Sequence, residues 1–268
     1  MTRATVASGT FYPANPNKLK EFIKNATPRN ITPQEAKAVI LPHAGYIYSG
    51  KVAVETVANI RPKKLLVALG PNHTGRGLPF SVYTQGCWQT PLGDIEIEPE
   101  TAQEITKTRI LEADIQAHAY EHSIEVQLPI LKYFFEEFKF IPIACILADL
   151  AVYKEIAGII YTSLEKTSGF AQSLIIASSD MTHYESQAQA EKKDKYVLEA
   201  ILNLDTSNFL KRVQEKNVSM CGIAPVGIML EFLKLSQAKK SRLIKYTTSA
   251  EASGDYSSVV GYAGAIFN

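Results

Sequence analysis

Histidine and cysteine are scarce in this sequence, five of one and three of the other in 268 residues. Cys87, Cys145 and Cys221 are far apart, odd in number and without a C-x-x-C pair. That argues against a disulfide framework and for a reducing, cytoplasmic interior. No apolar run approaches the roughly 18 residues of a membrane-spanning helix, and the opening MTRATVASGTFYP has no apolar stretch of signal-peptide type. Neither sign of charge is in excess: 28 basic and 27 acidic residues leave +1. No whole-molecule field therefore draws the chain onto nucleic acid or an anionic membrane. Repeats, low-complexity tracts and Pro/Gly/Ser-rich linkers are missing, so one domain over residues 1–268 is the simplest organisation. Also missing are H-E-x-x-H and G-x-S-x-G, which removes the zinc-protease and serine-hydrolase signatures.

What is present is an alternation of short apolar runs with longer amphipathic ones. Ala38–Leu41, Leu65–Leu69, Phe80–Thr84, Phe140–Leu147 and Leu174–Ala177 read as strands, with Arg242–Thr247 and Ser258–Phe267 closing the chain. Helices are predicted from a Ser49 N-cap through Ile60, from Pro99 through Lys107 and over Ser123–Phe138 with Pro129 as a kink or early-turn residue. Further helices follow from an Asp149 cap to Leu164, over Gln187–Leu202 and Thr206–Glu215, and from about Pro225 to Leu235. The pattern implies an α/β fold of three layers, with a central mixed sheet and helices on both faces. In such sheets, sites form beyond the carboxyl ends of the strands.

Three of the five histidines fall where that rule looks. His43 follows Ala38–Leu41, His73 follows Leu65–Leu69, and His183 follows Leu174–Ala177. If the three strands are parallel neighbours, the imidazoles converge on one edge of the sheet. Neutral imidazole is a common metal ligand, and two histidines with one anionic ligand make a reactive metal site. Candidate anions are Asp180, Cys221, Glu121 and Glu125; Asp180 could instead hydrogen-bond an imidazole. Cys221 lies in SMCGIAP, just before a helix whose N-terminus would lower a thiol pKa, while Cys145 reads as inert core. His122 is expected to line the site and His118 to stay outside it. Tyr46 and Tyr48, just after His43, could line a pocket, and the loop from Gly70 to Gly77 could cradle an anion.

The segments SGTFYP, LPHAGYIYSG, LGPNHTG, TPLG, EHSIEVQLP, SSDMTHY and SMCGIAPV, followed by VVGYAGAIF, resemble the Memo family in order and composition. The resemblance implies the fold of class III extradiol-type non-haem iron dioxygenases, with a cysteine in place of their carboxylate ligand. It implies His43, His73 and Cys221 as metal ligands, His183 as an acid/base residue with Asp180 beside it, and His122 lining the pocket. Iron or copper binding, redox chemistry, phosphotyrosine-peptide binding and association with a radical-SAM protein are what it implies for cofactor and partners. A thiolate shifts preference toward copper(I), zinc or a less oxygen-reactive iron, which argues against ring cleavage. The expected function is thus an iron- or copper-binding oxidoreductase acting on an unknown small molecule or peptide. The alternatives are a non-catalytic peptide- or protein-binding module with a basic rim from Lys51 and Arg76, and a zinc hydrolase.

Overall fold

Period-two patterning runs through the buried strands and sorts their side chains onto the two faces of one sheet. Ala38 and Ile40 pack into one core with Leu65, Val67, Leu69, Ile175 and Ala177; Val39 and Leu41 pack into the other with Leu66, Ala68, Leu174 and Ile176. A strand buried on both faces has to be apolar throughout, as these are.

The computed structural model describes residues 1–167 and 170–268. In chain order the elements are β1 (Thr2–Arg3), α1 (Pro16–Ala26), β2 (Ala38–Leu41), α2 (Lys51–Ala58), β3 (Leu65–Pro71), β4 (Phe80–Val82), β5 (Cys87–Trp88) and β6 (Ile95–Glu96). There follow α3 (Pro99–Ile105), β7 (Glu112–Ala113), α4 (Leu128–Phe135), β8 (Lys139–Cys145), α5 (Leu150–Thr167), β9 (Ser173–Ser178) and β10 (His183–Glu185). The chain continues through α6 (Gln187–Leu202), α7 (Thr206–Lys216), α8 (Ile223–Leu235), β11 (Ser241–Thr248), α9 (Ala250–Ser253) and β12 (Val259–Phe267).

The main sheet runs β10-β12-β2-β9-β3-β8-β4-β7, with β11 also on β12; β1, β5 and β6 make a small second sheet. The central strands β2, β9, β3 and β8 are mutually parallel, and β12 is antiparallel to β2. The sheet is mixed, as expected. Helices α3, α5, α6, α7 and α8 supply one core, and α1, α2 and α4 the other, giving the three-layer α/β/α arrangement. Ten of the thirteen residues of α8 are buried, which explains why that helix is apolar all round.

Three features position the site. The carboxyl ends of β2, β9 and β3 are adjacent, at Leu41, Ser178 and Pro71. Antiparallel β12 overhangs the end of β2, pairing Ala265 with Ile40, and its earlier residues Val259 and Val260 carry β10 and with it His183. Gly222 opens α8 against the end of β9: a β-carbon there would collide with the Ser179 side chain and the Ser178 carbonyl.

Two predicted helices differ from what forms. Ser49 is no N-cap: Tyr46–Gly50 is a π-helical turn running into α2, and the Ser49 hydroxyl donates back to the Ala44 carbonyl at 2.9 Å. The long helix from Ser123 shrinks to a 3₁₀ turn, Glu125–Gln127, and α4, with Pro129 in its first turn. Ser123 is held by tertiary contacts instead, its hydroxyl donating to Pro71 O and its carbonyl accepting from Ser178 Oγ. Helix α1 was not anticipated, although Asn15 caps it and Pro16 opens it.

Candidate metal centre

Each of the three strand ends delivers its residue in a different way. Past β2, Pro42 and His43 turn over the sheet, and His43 is held at both its backbone and its ring. Its N–H donates to Asp180 Oδ1 at 2.8 Å, and its Nδ1 lies 2.9 Å from Ser178 Oγ. The Ser178 hydroxyl already donates to Ser123 O at 2.7 Å, so toward His43 it accepts. Nδ1 therefore carries the ring proton, and Nε2 presents a lone pair. Past β3, His73 donates its backbone N–H to Glu121 Oε2 at 2.6 Å and its Nδ1–H to Glu121 Oε1 at 3.0 Å. A carboxylate only accepts, so Nε2 of His73 is again the free nitrogen. Past β9, His183 donates Nδ1–H to Ser219 O at 2.7 Å, leaving Nε2 able to take a proton.

Cys221 meets this group from the N-terminal side of α8. Its Sγ lies 3.2 Å from His43 Nε2 and accepts the Asp180 N–H at 3.2 Å. Donor atoms of His43, His73 and Cys221 all lie within 4.8 Å of one another. Bonds of about 2.0 Å to nitrogen and 2.3 Å to sulfur, opened to a tetrahedral angle, would separate N and S by about 3.5 Å. The His43–Cys221 spacing is close to that, so two imidazoles and a thiol fit one soft or borderline ion. With its proton on Nδ1, His43 Nε2 can only accept, so toward it the Cys221 thiol is the donor.

His122 completes a group of three imidazoles. Its ring stacks on His73 with centroids 5.0 Å apart, meets His43 edge-on at 5.6 Å and packs on Phe11 at 4.5 Å. His73, Glu121 and His122 form a second set of donors within 4.8 Å. Glu121, however, already accepts three N–H groups, two from His73 and one from Ser123 at 2.9 Å, so it serves to aim His73 rather than to ligate.

Ionisation follows from burial and these contacts. Burial, then the neighbouring imidazoles His73 and His122, pushes His43 well below its ordinary value, keeping it neutral. Burial also pushes His73 down, but the hydrogen bond and charge of Glu121, with Asp180, leave it above the ordinary value. Burial would raise Glu121; the His73 bond and charge outweigh it, and the carboxyl ends near about 2. Asp180 is lifted by burial to about 6, against the pull of the His43 N–H. The Cys221 thiol is pushed up, first by burial and then by the Asp180 charge. The expected lowering by the helix N-terminus is thus overridden, and only a cation beside the sulfur would reverse it.

Other sequence candidates fall elsewhere. Asp180 binds the His43 backbone rather than an imidazole. His118 is buried against Tyr83 and Trp88, with Nε2 on Ser81 O, outside the cluster. Glu125 takes Arg3, the Tyr12 hydroxyl and the N–H groups of Val6 and Ala7. Tyr46 is buried, its hydroxyl on Val126 O, while Tyr48 stays exposed. The Gly70–Gly77 loop is no anion cradle: Asn72 Oδ1 takes the Gly75 N–H, the Thr74 hydroxyl takes that of Arg76, and Glu121 takes that of His73. Cys87, Cys145 and Cys221 are free, and Cys145 is buried. Sequence reasoning missed Ser178 and Ser219, the partners that set the tautomers of His43 and His183. Ser178 opens the SSD motif two residues before Asp180, which was a usable signal; Ser219 carried none. Among the described residues no helix is long and apolar enough to cross a membrane.

The chain matches the Memo family, described as Memo-like protein, over residues 3–266. It is 40% identical over 282 residues to a MEMO1 family protein of Methanopyrus kandleri, covering 100% of this chain and 99% of that one. It is likewise 40% identical over 270 residues to a MEMO1 family protein of Aquifex aeolicus, covering 99% and 98%. In fold it is similar to the crystal structure of an uncharacterised Escherichia coli K12 protein, with a TM-score of 0.54 at 12% identity, covering 87% of this chain and 100% of that one. The chain belongs to the Memo-like family.

Proposed function

We propose that this Memo-like protein is a metal-dependent oxidoreductase of iron or copper type, with His43, His73 and Cys221 holding the ion. The observation that carries the reading is the aim of the two imidazoles. Ser178 and Glu121 fix the protons on Nδ1 and leave both Nε2 lone pairs free; Cys221 Sγ lies 3.2 Å from that of His43, and a donor atom of His73 lies within 4.8 Å of both. When bound, such an ion supplies electron transfer or activation of a small molecule at its open positions.

The protein's own residues do the rest. Asp180 holds the His43 backbone with its carboxylate and the Cys221 sulfur with its N–H. Phe11 and His122 pack against each other on one side of the cluster. His183, half-buried and fixed through Nδ1, offers Nε2 to accept or return a proton. The binding-module alternative asks for a basic rim. Lys51 makes an exposed pair with Glu251, and Arg76 lies over the Tyr120 ring. Cytoplasmic residence follows the cysteine pattern, and association with a radical-SAM protein follows the family resemblance; both belong to the proposal.

Anaerobic metal titration of tag-free protein tests it. His73→Ala and Cys221→Ala are expected to weaken iron(II) or copper binding by well over tenfold. His183→Ala is expected to leave affinity unchanged and to remove turnover. Wild-type protein that binds none of these metals more tightly than the His73 variant sinks the reading.

A further inference from the structure

Beside the candidate proton-moving histidine the backbone does something costly. β10 and β12 slip register between His183 and Glu185, and the residue in the resulting bulge is Tyr184. Its φ is +59°, in the left-handed region that glycine enters freely and a bulky side chain does not. Among the described residues, five other non-glycine positions have positive φ: Asn30, Glu136, Leu204, Asn217 and Gln237. Four of them fall within two residues of a helix end, where a left-handed turn satisfies the last carbonyls, and Asn30 is of a type that tolerates it. Tyr184 has no such reason.

Nor does packing account for it. The ring is 80% exposed, and its aromatic neighbour is His183, with centroids 5.8 Å apart and planes tilted by 58°. On the loop leaving His43, Ile47 and Tyr48 are exposed too. Burial raises the Tyr262 hydroxyl, and Asp180, Tyr48 and Tyr184 add to the rise. Ile47, Tyr48 and Tyr184 thus offer apolar and aromatic groups to solvent. Lys193 on α6 is tied to Glu185 at 2.5 Å. A bulge beside a site re-aims a side chain, and backbone strain of this kind clusters at sites that bind ligands.

We propose that Tyr184 is a substrate-contacting residue, its ring the platform on which a flat, uncharged aromatic or unsaturated part of the substrate lies while it reaches His183. The proposal rests on the pocket being a working site, and it adds the chemical class of what enters. Of the described cations, Lys193 is tied to Glu185 and Lys51 to Glu251, whereas a ring stacked on Tyr184 would lie beside His183.

The experiment uses phenol as the probe and cyclohexanol as its non-planar counterpart of similar size. Each is titrated into the full chain while the imidazole C–H signals of His183 are followed by NMR, in metal-free and zinc-loaded protein. Phenol is expected to move the His183 signals and to bind several-fold more tightly than cyclohexanol. Tyr184→Phe is expected to keep this binding, and Tyr184→Ala to weaken it roughly 2- to 12-fold, the range for an aromatic pair. Tyr184→Gly is expected to melt at or above wild type, by up to about 2–4 °C, because the strain is relieved. Equal binding of the two probes, undiminished phenol binding by the Ala variant, or a Gly variant that melts well below wild type overturns the proposal. Failure of the metal reading shows separately, as zinc that leaves the His43 and His73 signals unmoved.

Discussion

Glu121→Gln separates the aim of the metal pocket from its ligands. The carboxylate accepts the His73 N–H at 2.6 Å, the His73 Nδ1–H at 3.0 Å and the Ser123 N–H at 2.9 Å, and it is buried. The amide keeps one acceptor oxygen and turns an NH₂ group toward one or two of these donors. Hydrogen bonds to a charged group contribute about 1.5–3 kcal/mol each, so the metal-free protein should lose about 2–4 kcal/mol. Metal affinity should fall roughly 10- to 100-fold, as when an outer partner of a ligating histidine is removed. The pH dependence gives a second readout. In the wild type Glu121 holds His73 above its ordinary 6.5, so protons compete for Nε2 from above that pH. In the variant burial is opposed only by the Asp180 charge, and the acid limb of binding should move to lower pH. The carboxylate itself, depressed from 4.5 to about 2, contributes stability above about pH 4.5 that is lost only as pH falls through the lower value. Zinc titration calorimetry between about pH 5.5 and 8.5, with urea unfolding at pH 7, measures both. An affinity within threefold of wild type at pH 8, together with an unmoved acid limb, would refute the role given to Glu121.

Arg3→Ala removes one half of a buried pair with Glu125 at 2.6 Å, along with bonds to the His118 and Glu121 carbonyls. Urea unfolding should show a loss of about 3–5 kcal/mol, and a loss below 1 kcal/mol would mean that Glu125 finds other partners. Asp180→Asn keeps an acceptor for the His43 N–H but removes a carboxyl whose pKa is raised from 3.8 to about 6. A raised carboxyl costs stability increasingly as pH climbs from its unfolded to its folded value, here about 3 kcal/mol in full. The variant should therefore be the more stable at pH 8 by up to that amount, with no such gain at pH 4; an equal gain at both contradicts the ionisation. Gly222→Ala forces a β-carbon into Ser179, which should cost about 1–3 kcal/mol and displace Cys221. Cobalt(II) bound with undiminished thiolate absorption would show that the start of α8 yields without moving the sulfur.

Much of this was legible in the residues. The strands at Ala38, Leu65 and Leu174 announce themselves because burial on two faces leaves no room for polar positions. The gathering of His43, His73 and Cys221 could be anticipated from strand ends plus the motif resemblance. What was hidden depends on partners distant in sequence. No local pattern says that Ser49 donates backward into a π-helical turn, or that Ser123 is drawn off its helix by Pro71 and Ser178. The direction of the Cys221 shift was misread because proximity to a helix N-terminus is visible in sequence and burial is not. The Tyr184 bulge was invisible because its register is set by β12, some 75 residues later.

The placement of β2 governs when the pocket comes into being. Ala38 pairs on one side with Ile175 and on the other with Phe267, so the middle of the sheet cannot close by local zipping. Such long loops must be closed before their contacts return any free energy, which makes folding slow and its transition state dependent on these pairings. His43, His73 and Cys221 sit just beyond them and meet only after they form. An ion should then act on one limb of the kinetics: the holo chain unfolds more slowly, while its refolding rate stays that of the apo chain.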